Sequence, residues 1–218
     1  NGHKASALGL ARIMREAMRN PTFRMITGTK RKVIPWVGNE YSRVLENKNR
    51  LLTTYEGATG GKTGFTNKAG RCLVFSAERN DMELIGAVLH CYTWFDTAET
   101  ILDYGFENYH MMRGIAAGDT AKTVEIYGGT AETVPAVAEE DLAAAVRNGA
   151  RTEIVYQTQP QNAPVERGAP LGTATLLEDG IAIAECRLIA GERIDQATPV
   201  AAFLQIIRNW ILRPLPRS

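Results

Sequence analysis

Tyr55-Glu56-Gly57-Ala58-Thr59-Gly60-Gly61-Lys62-Thr63-Gly64-Phe65-Thr66-Asn67-Lys68-Ala69-Gly70 is the stretch that decides how this chain folds. It ends in turn-forming residues, Asn67 to Gly70, and its centre is Lys62-Thr63-Gly64. The next run, Arg71-Cys72-Leu73-Val74-Phe75-Ser76-Ala77, has the apolar, β-favouring content of a buried strand. After a second turn over Glu78 to Asp81 comes a third such run, Glu83-Leu84-Ile85-Gly86-Ala87-Val88-Leu89. Together they predict an antiparallel meander with Lys62, Thr63 and Gly64 on its first strand. An ammonium, a hydroxyl and a residue without a side chain then sit side by side, an arrangement that suits a carboxylate ligand. Lys62 supplies the charge, Thr63 an O–H donor, and Gly64 lets a peptide-like substrate lie against the backbone as an added strand.

Composition narrows the classes. At 218 residues the chain is long enough for one large domain or two smaller ones. Its 25 basic and 24 acidic residues leave a net charge of +1, and no basic-aromatic cluster stands out, which argues against a nucleic-acid partner. Cys72, Cys91 and Cys186 are odd in number and form no C-x-x-C, so buried free thiols are expected rather than a metal site or a disulfide scaffold. Neither a metal nor a cofactor is expected. No run is long enough to cross a bilayer and no signal peptide opens the chain, so an exported protein would have lost its signal with a missing beginning.

Upstream, Leu10, Ile13, Met14, Ala17 and Met18 have the spacing of an amphipathic helix that Asn20-Pro21 ends. A loop or short helix from Phe23, a strand at residues 32–36 and a polar connector over residues 39–49 lead into the central stretch. Downstream, Phe95, Ala98, Ile101 and Leu102 predict a helix that packs on the sheet and stops near Gly105. Composition then shifts. Short β-type runs at 121–127, 132–137, 152–156, 172–177, 181–184 and 187–190, punctuated by Gly-containing turns, predict a small all-β module. Residues 138–147 are read as a loop or one or two helical turns. From Pro199, the residues Val200, Phe203, Leu204, Ile207, Trp210 and Ile211 share one face of a terminal amphipathic helix with arginines at its margins. Such a helix either lies on a membrane surface or docks on protein.

Asn47-Lys48-Asn49-Arg50-Leu51-Leu52, the Gly-Gly-Lys-Thr-Gly-Phe-Thr-Asn-Lys-Ala-Gly segment and Cys72-Leu73-Val74-Phe75-Ser76-Ala77 closely resemble the low-molecular-weight penicillin-binding proteins that are D-alanyl-D-alanine carboxypeptidases. Gly2-His3-Lys4-Ala5-Ser6-Ala7-Leu8-Gly9-Leu10-Ala11 is similar to a helix opening inside that family's catalytic domain, with Gly9 at the family's Asp position. Ile101-Leu102-Asp103-Tyr104-Gly105-Phe106 is similar to the helix that closes this domain, and residues 163–172 resemble the accessory β-domain after it. The resemblance implies an α+β protein. Its parts are the C-terminal portion of a penicillin-binding/β-lactamase-like catalytic domain at residues 1–115 (antiparallel sheet with packed helices), a β-rich accessory domain at 116–198, and a C-terminal amphipathic helix and tail at 199–218.

The same resemblance assigns roles. Lys62 and Thr63 bind the terminal carboxylate of a D-Ala-D-Ala stem peptide or of a β-lactam, Gly64 permits close approach, and the backbone N–H of Phe65 belongs to the oxyanion hole. Such a donor is typically worth ~2.7–4 kcal/mol in the transition state. Lys48 stands where family members can carry a carboxylate-binding arginine; lysine keeps the charge without the bidentate fork. The serine-enzyme signature also needs Ser-x-x-Lys and Ser-x-Asn. Of Ser6, Ser42, Ser76 and Ser218, none has Lys three residues on or Asn two residues on. The expectation is a D-alanyl-D-alanine carboxypeptidase at the outer face of the bacterial cytoplasmic membrane, present as a fragment inactive alone, prone to self-association or paired with a missing N-terminal piece. The alternative is a non-catalytic peptidoglycan-binding or scaffolding protein.

Overall fold

The computed structural model describes Gly2, residues 4–200 and Phe203. The chain divides into two compact units, residues 1–110 and 111–218. In the first, α1 (Ala7–Met18) opens at Ser6, whose side chain accepts the N–H of Gly9 at 3.0 Å, so the first turn is capped despite the glycine. Pro21 does not merely end this helix. It takes the first turn of α2 (Pro21–Gly28), where its missing N–H costs nothing and Asn20 caps the N–H groups of Thr22 and Phe23. β1 (Arg31–Pro35) and β2 (Ser42–Glu46) pair as an isolated antiparallel ribbon, so the expected polar connector contains a strand. A single turn of helix, α3 (Leu51–Thr54), leads to the meander.

The meander is β3 (Ala58–Thr66), β4 (Gly70–Arg79) and β5 (Met82–Val88), antiparallel in the order β3-β4-β5. Asn80 and Asp81 both adopt positive φ in the tight β4–β5 turn. Leu73, Phe75 and Ala77 alternate onto one face and form a core with Leu51, Tyr55, Val88, Ala98 and Leu102. The last two lie on α4 (Trp94–Asn108), which runs past the expected stop at Gly105. Gly105 is a packing residue: a Cβ there would lie 2.3 Å from a methyl of Leu84. Gly86 likewise leaves room for the Phe75 ring, whose Cζ would meet an added Cβ at 2.4 Å. On the opposite face α1 lies against β4 and β5, and α2 against β3.

One titration is built into this core. The Tyr55 hydroxyl donates to Asp103 Oδ1 at 2.7 Å, and burial first, then that bond, push the phenol well above its ordinary value. The protonated form is the one the fold favours. Its contribution is therefore complete below about pH 10, the unfolded value, and is lost as pH rises towards the folded value. The urea midpoint should fall above that pH, and Tyr55→Phe should flatten the fall; an equally steep fall in the variant would place the alkaline loss elsewhere.

The second unit is a sandwich. β6 (Tyr109–Ile115), β7 (Thr120–Tyr127), β8 (Thr133–Ala138), β9 (Leu142–Arg147), β10 (Thr152–Thr158), β11 (Gln161–Asn162), β12 (Pro170–Glu178) and β13 (Ile181–Ala190) follow in order. Six of them form one sheet, β10-β12-β13-β8-β7-β11, antiparallel except where β11 joins β7, and β6 pairs with β9. Val134, Ala136, Leu176 and Leu188 from the large sheet enclose a core with Leu142 of β9. Residues 142–147 are thus a strand, not a loop or helical turn. Leu142 and Val146 satisfy either periodicity, and pairing with β6 selects the extended one. Of the cysteines only Cys186 is buried; Cys72 and Cys91 are half-exposed, and all three are free. The helix expected over 199–218 lies outside the described residues except at Pro199, Val200 and Phe203. Among the described residues no helix is long and apolar enough to cross a membrane.

Candidate functional site

Lys62, Thr63, Gly64 and Phe65 lie on β3, at the edge of its sheet. The direction of their backbone groups follows from the register. Arg71 sits opposite Phe65, and its carbonyl accepts the N–H of Cys91, on the β5 side of the sheet. In an antiparallel ladder, opposed residues either bond each other or both point away. Since Arg71 turns towards β5, Phe65 turns its N–H and C=O outward, away from β4. Thr63, two residues earlier, has the same orientation, and its carbonyl receives the ammonium of Lys62. Among the described residues no strand pairs with this edge, so the backbone groups of Thr63 and Phe65 face outward along it, with the Lys62 ammonium resting on the Thr63 carbonyl.

The side chains divide between the two faces. Thr63 stands opposite Leu73, on the core face, whereas Lys62 stands opposite Val74 on the other. They do not form one side-chain cluster; a carboxylate reaches both only from the strand edge between them. Lys62 and Phe65 are exposed and Thr63 half-buried. At Gly64 an added Cβ would meet nothing within 4 Å, so the strand surface is open there.

The start of β3 is held far more tightly. Asn49, 2% exposed, donates from its amide to the Gly60 carbonyl at 3.2 Å and accepts the N–H of Leu51 at 3.3 Å. Asn47 donates to the carbonyls of Thr27 and Thr29 and accepts the N–H of Asn49. These two asparagines tie the loop that carries Lys48 to both α2 and β3. Lys48 itself is exposed on that loop. Gly61 has φ +145°, and a Cβ there would come within 2.4 Å of the Val74 carbonyl and 2.8 Å of the Asn49 amide. Only glycine fits, one residue before Lys62.

A bulge between Ala58 and Gly60 leaves Thr59 extra in the strand. Its hydroxyl donates to Ser76 Oγ at 2.8 Å and lies 3.3 Å from Glu83, which is paired with Arg24 at 2.7 Å. Gly28 approaches the Thr59 carbonyl so closely that a Cβ would sit 2.6 Å from it. Asn47, Asn49, Thr59 and Arg24 position the strand, and sequence reasoning missed them. An Asn-x-Asn before a glycine-rich strand was the available signal for two of the four. Ser76, fully buried and bonded to Thr59, is inaccessible as a nucleophile; Ser6 caps α1, and Ser42 lies on the exposed ribbon. Ser218 and His3 lie outside the described residues.

The family profile of D-alanyl-D-alanine carboxypeptidases matches residues 1–93, and that of the C-terminal domain of penicillin-binding protein 5 matches residues 109–196. The chain is 26% identical over 217 residues to D-alanyl-D-alanine carboxypeptidase DacF of Bacillus subtilis, covering 96% of this chain and 55% of that protein. It is 31% identical over 158 residues to DacC of Escherichia coli, covering 69% of this chain and 40% of that one. The chain thus spans about half the length, or less, of these curated relatives. Penicillin-binding protein 5 from Haemophilus influenzae superposes with a TM-score of 0.69 at 25% identity, over 87% of this chain and 55% of that structure. For PBP3 of Streptococcus pneumoniae, a peptidoglycan synthesis regulatory factor, the values are 0.68, 22%, 89% and 60%, a likeness of fold alone.

Proposed function

Because the chain belongs to the D-alanyl-D-alanine carboxypeptidase family of low-molecular-weight penicillin-binding proteins, we propose that β3 forms the carboxylate-binding and oxyanion side of a serine D,D-peptidase site. The whole protein would remove the terminal D-Ala from peptidoglycan stem peptides outside the cytoplasm, and its acyl-serine step would be open to β-lactams. The observation that carries this reading is the outward N–H of Phe65 on a free strand edge, three residues from Lys62. A substrate lying along that edge as an added strand pairs with Thr63 and Phe65. Its terminal carboxylate meets the Lys62 ammonium and the Thr63 hydroxyl, and its scissile carbonyl comes under the Phe65 N–H. Lys48 adds positive charge nearby without contributing to the edge. None of the four serines combines exposure with a Lys one helical turn on, so the nucleophile would come from outside these 218 residues.

A second reading, a peptidoglycan-binding module without chemistry, uses the same edge and is favoured by the burial of Ser76. One titration tests the shared part: calorimetry with a peptide ending in D-Ala-D-Ala and with the same peptide amidated at its C-terminus. The free acid should bind at least ten times more tightly, as expected when a charge-assisted pair worth about 1.5–3 kcal/mol is lost. Equal affinity of acid and amide would remove the carboxylate site. Release of D-Ala by this chain alone would overturn the absence of a nucleophile.

A further inference from the structure

The ribbon of β1 and β2 has no role in the proposed peptidase function and no layer beneath it. Apart from Ile34, every residue of both strands is exposed. The register sorts the side chains between its faces. Arg31, Val33 and Pro35 stand opposite Glu46, Val44 and Ser42, so one face is neutral. Lys32 and Ile34 stand opposite Leu45 and Arg43 on the other, which therefore carries two cations and no carboxylate. That face continues past the ends of the strands. The Arg43 guanidinium lies over the Trp36 ring, 5.3 Å from its centroid, and Tyr41 meets the same ring edge-on at 5.5 Å. Among the described residues neither Lys32 nor Arg43 is paired with a carboxylate.

The tip of the ribbon is a defined turn. The Asn39 N–H donates to the Trp36 carbonyl at 3.0 Å, and Gly38 supplies the positive φ, +83°, that the third position of a type II turn requires. Val37 is thereby held at the apex, 95% exposed, with Trp36 and Tyr41 behind it at 43% and 63%. A bare apolar apex, two aromatic rings and unneutralised cations on one face match the layers of an anionic bilayer surface. The apolar side chain meets the upper acyl chains, the rings lie at headgroup depth, and the cations meet lipid phosphates. A two-stranded ribbon also leaves its outer backbone edges unpaired. Those edges stay hydrated among headgroups but not in hydrocarbon, so the ribbon would rest on the surface and not cross it. A protein partner would demand a rigid, shaped patch, which a ribbon without a supporting layer does not offer.

We propose that this ribbon is a contact site for an anionic lipid bilayer, with Val37 and Trp36 at its leading end and Lys32 and Arg43 on lipid phosphates. The site is distinct from the terminal segment 199–218 and from the carboxylate site on β3.

The test uses the whole chain carrying Trp94→Phe and Trp210→Phe, which leaves Trp36 as the reporter among its three tryptophans. It is titrated with vesicles of phosphatidylglycerol and phosphatidylcholine in equal parts, and with phosphatidylcholine alone. Trp36 emission should move to the blue and be quenched by brominated acyl chains in the first series only, and added salt should reverse the shift. Lys32→Ala should weaken the titration about fivefold, as expected for one cation at the surface. Val37→Asp should weaken it about tenfold, with the circular dichroism spectrum and melting temperature unchanged. An equal shift with phosphatidylcholine alone would overturn the proposal. Chain that pellets with vesicles while Trp36 emission stays in place would overturn it too, because another segment would then hold the lipid. So would a blue shift that grows with protein concentration in the absence of lipid, since the occupant of the ribbon would then be a second copy.

Discussion

Replacing Lys62 with alanine should weaken binding of a D-Ala-D-Ala peptide by about tenfold to a hundredfold while leaving the melting temperature within a degree or so of the parent. The reasoning separates two roles. Lys62 is exposed, and its one hydrogen bond within the chain goes to the neighbouring Thr63 carbonyl, so its loss removes little that holds β3 in place. Its ammonium is the charge nearest the outward-facing edge at Thr63 and Phe65. A charge-assisted hydrogen bond contributes about 1.5–3 kcal/mol, which corresponds to that range of affinity. Thr63→Val, which removes a neutral hydroxyl, should cost less than Lys62→Ala. If the free-acid and amidated peptides still differ in affinity after Lys62→Ala by as much as before, the carboxylate is read by another group, and Lys48 becomes the candidate.

Phe75→Ala should have the largest effect on stability of any single truncation in the first unit, about 3–5 kcal/mol. The ring is fully buried and occupies space that Gly86 leaves empty on β5. The position opposite it on β5, Gly86, carries no side chain that could fill the vacancy from that strand. The cavity stays open, and the upper part of the range applies. Urea denaturation followed by tryptophan fluorescence would measure it. A loss below ~2 kcal/mol would mean that β4 and β5 collapse together, a relaxation that this packing does not favour.

How much of this was legible in the sequence depends on the periodicity involved. The meander was readable because its strands are apolar runs separated by Asn67-Lys68-Ala69-Gly70 and Asn80-Asp81, and the structure places turns at both. The α+β organisation and the family resemblance were legible for the same reason. Residues 142–147 were not: Ala-rich segments with apolar residues four apart fit a helix as well as a strand, and only pairing with β6 decides. Gly105 looked like a helix stop and is instead a contact for Leu84, because a glycine's local preference and its packing value cannot be told apart along a chain. Within the candidate site, the Lys62 to Phe65 string was visible as a motif. The outward turn of the Phe65 N–H depends on strand register, and the Asn49 clamp joins residues that no short-range pattern links.

The ribbon of β1 and β2 shows where this molecule would first come apart. Nearly every side chain on both of its strands is exposed, and Val37 near its tip is almost wholly bare. A lone pair of strands is barely stable in water, so the ribbon opens at little cost while the meander remains folded. Arg31, Lys32 and Arg43 lie on it, which exposes its peptide bonds to a trypsin-like protease whenever the ribbon opens. Asn47 and Asn49 begin just beyond β2 and tie the following chain to β3. A nick in the ribbon would therefore leave the Lys62 strand seated, and the lifetime of the intact polypeptide would be set by a hairpin far less stable than the unit that carries it.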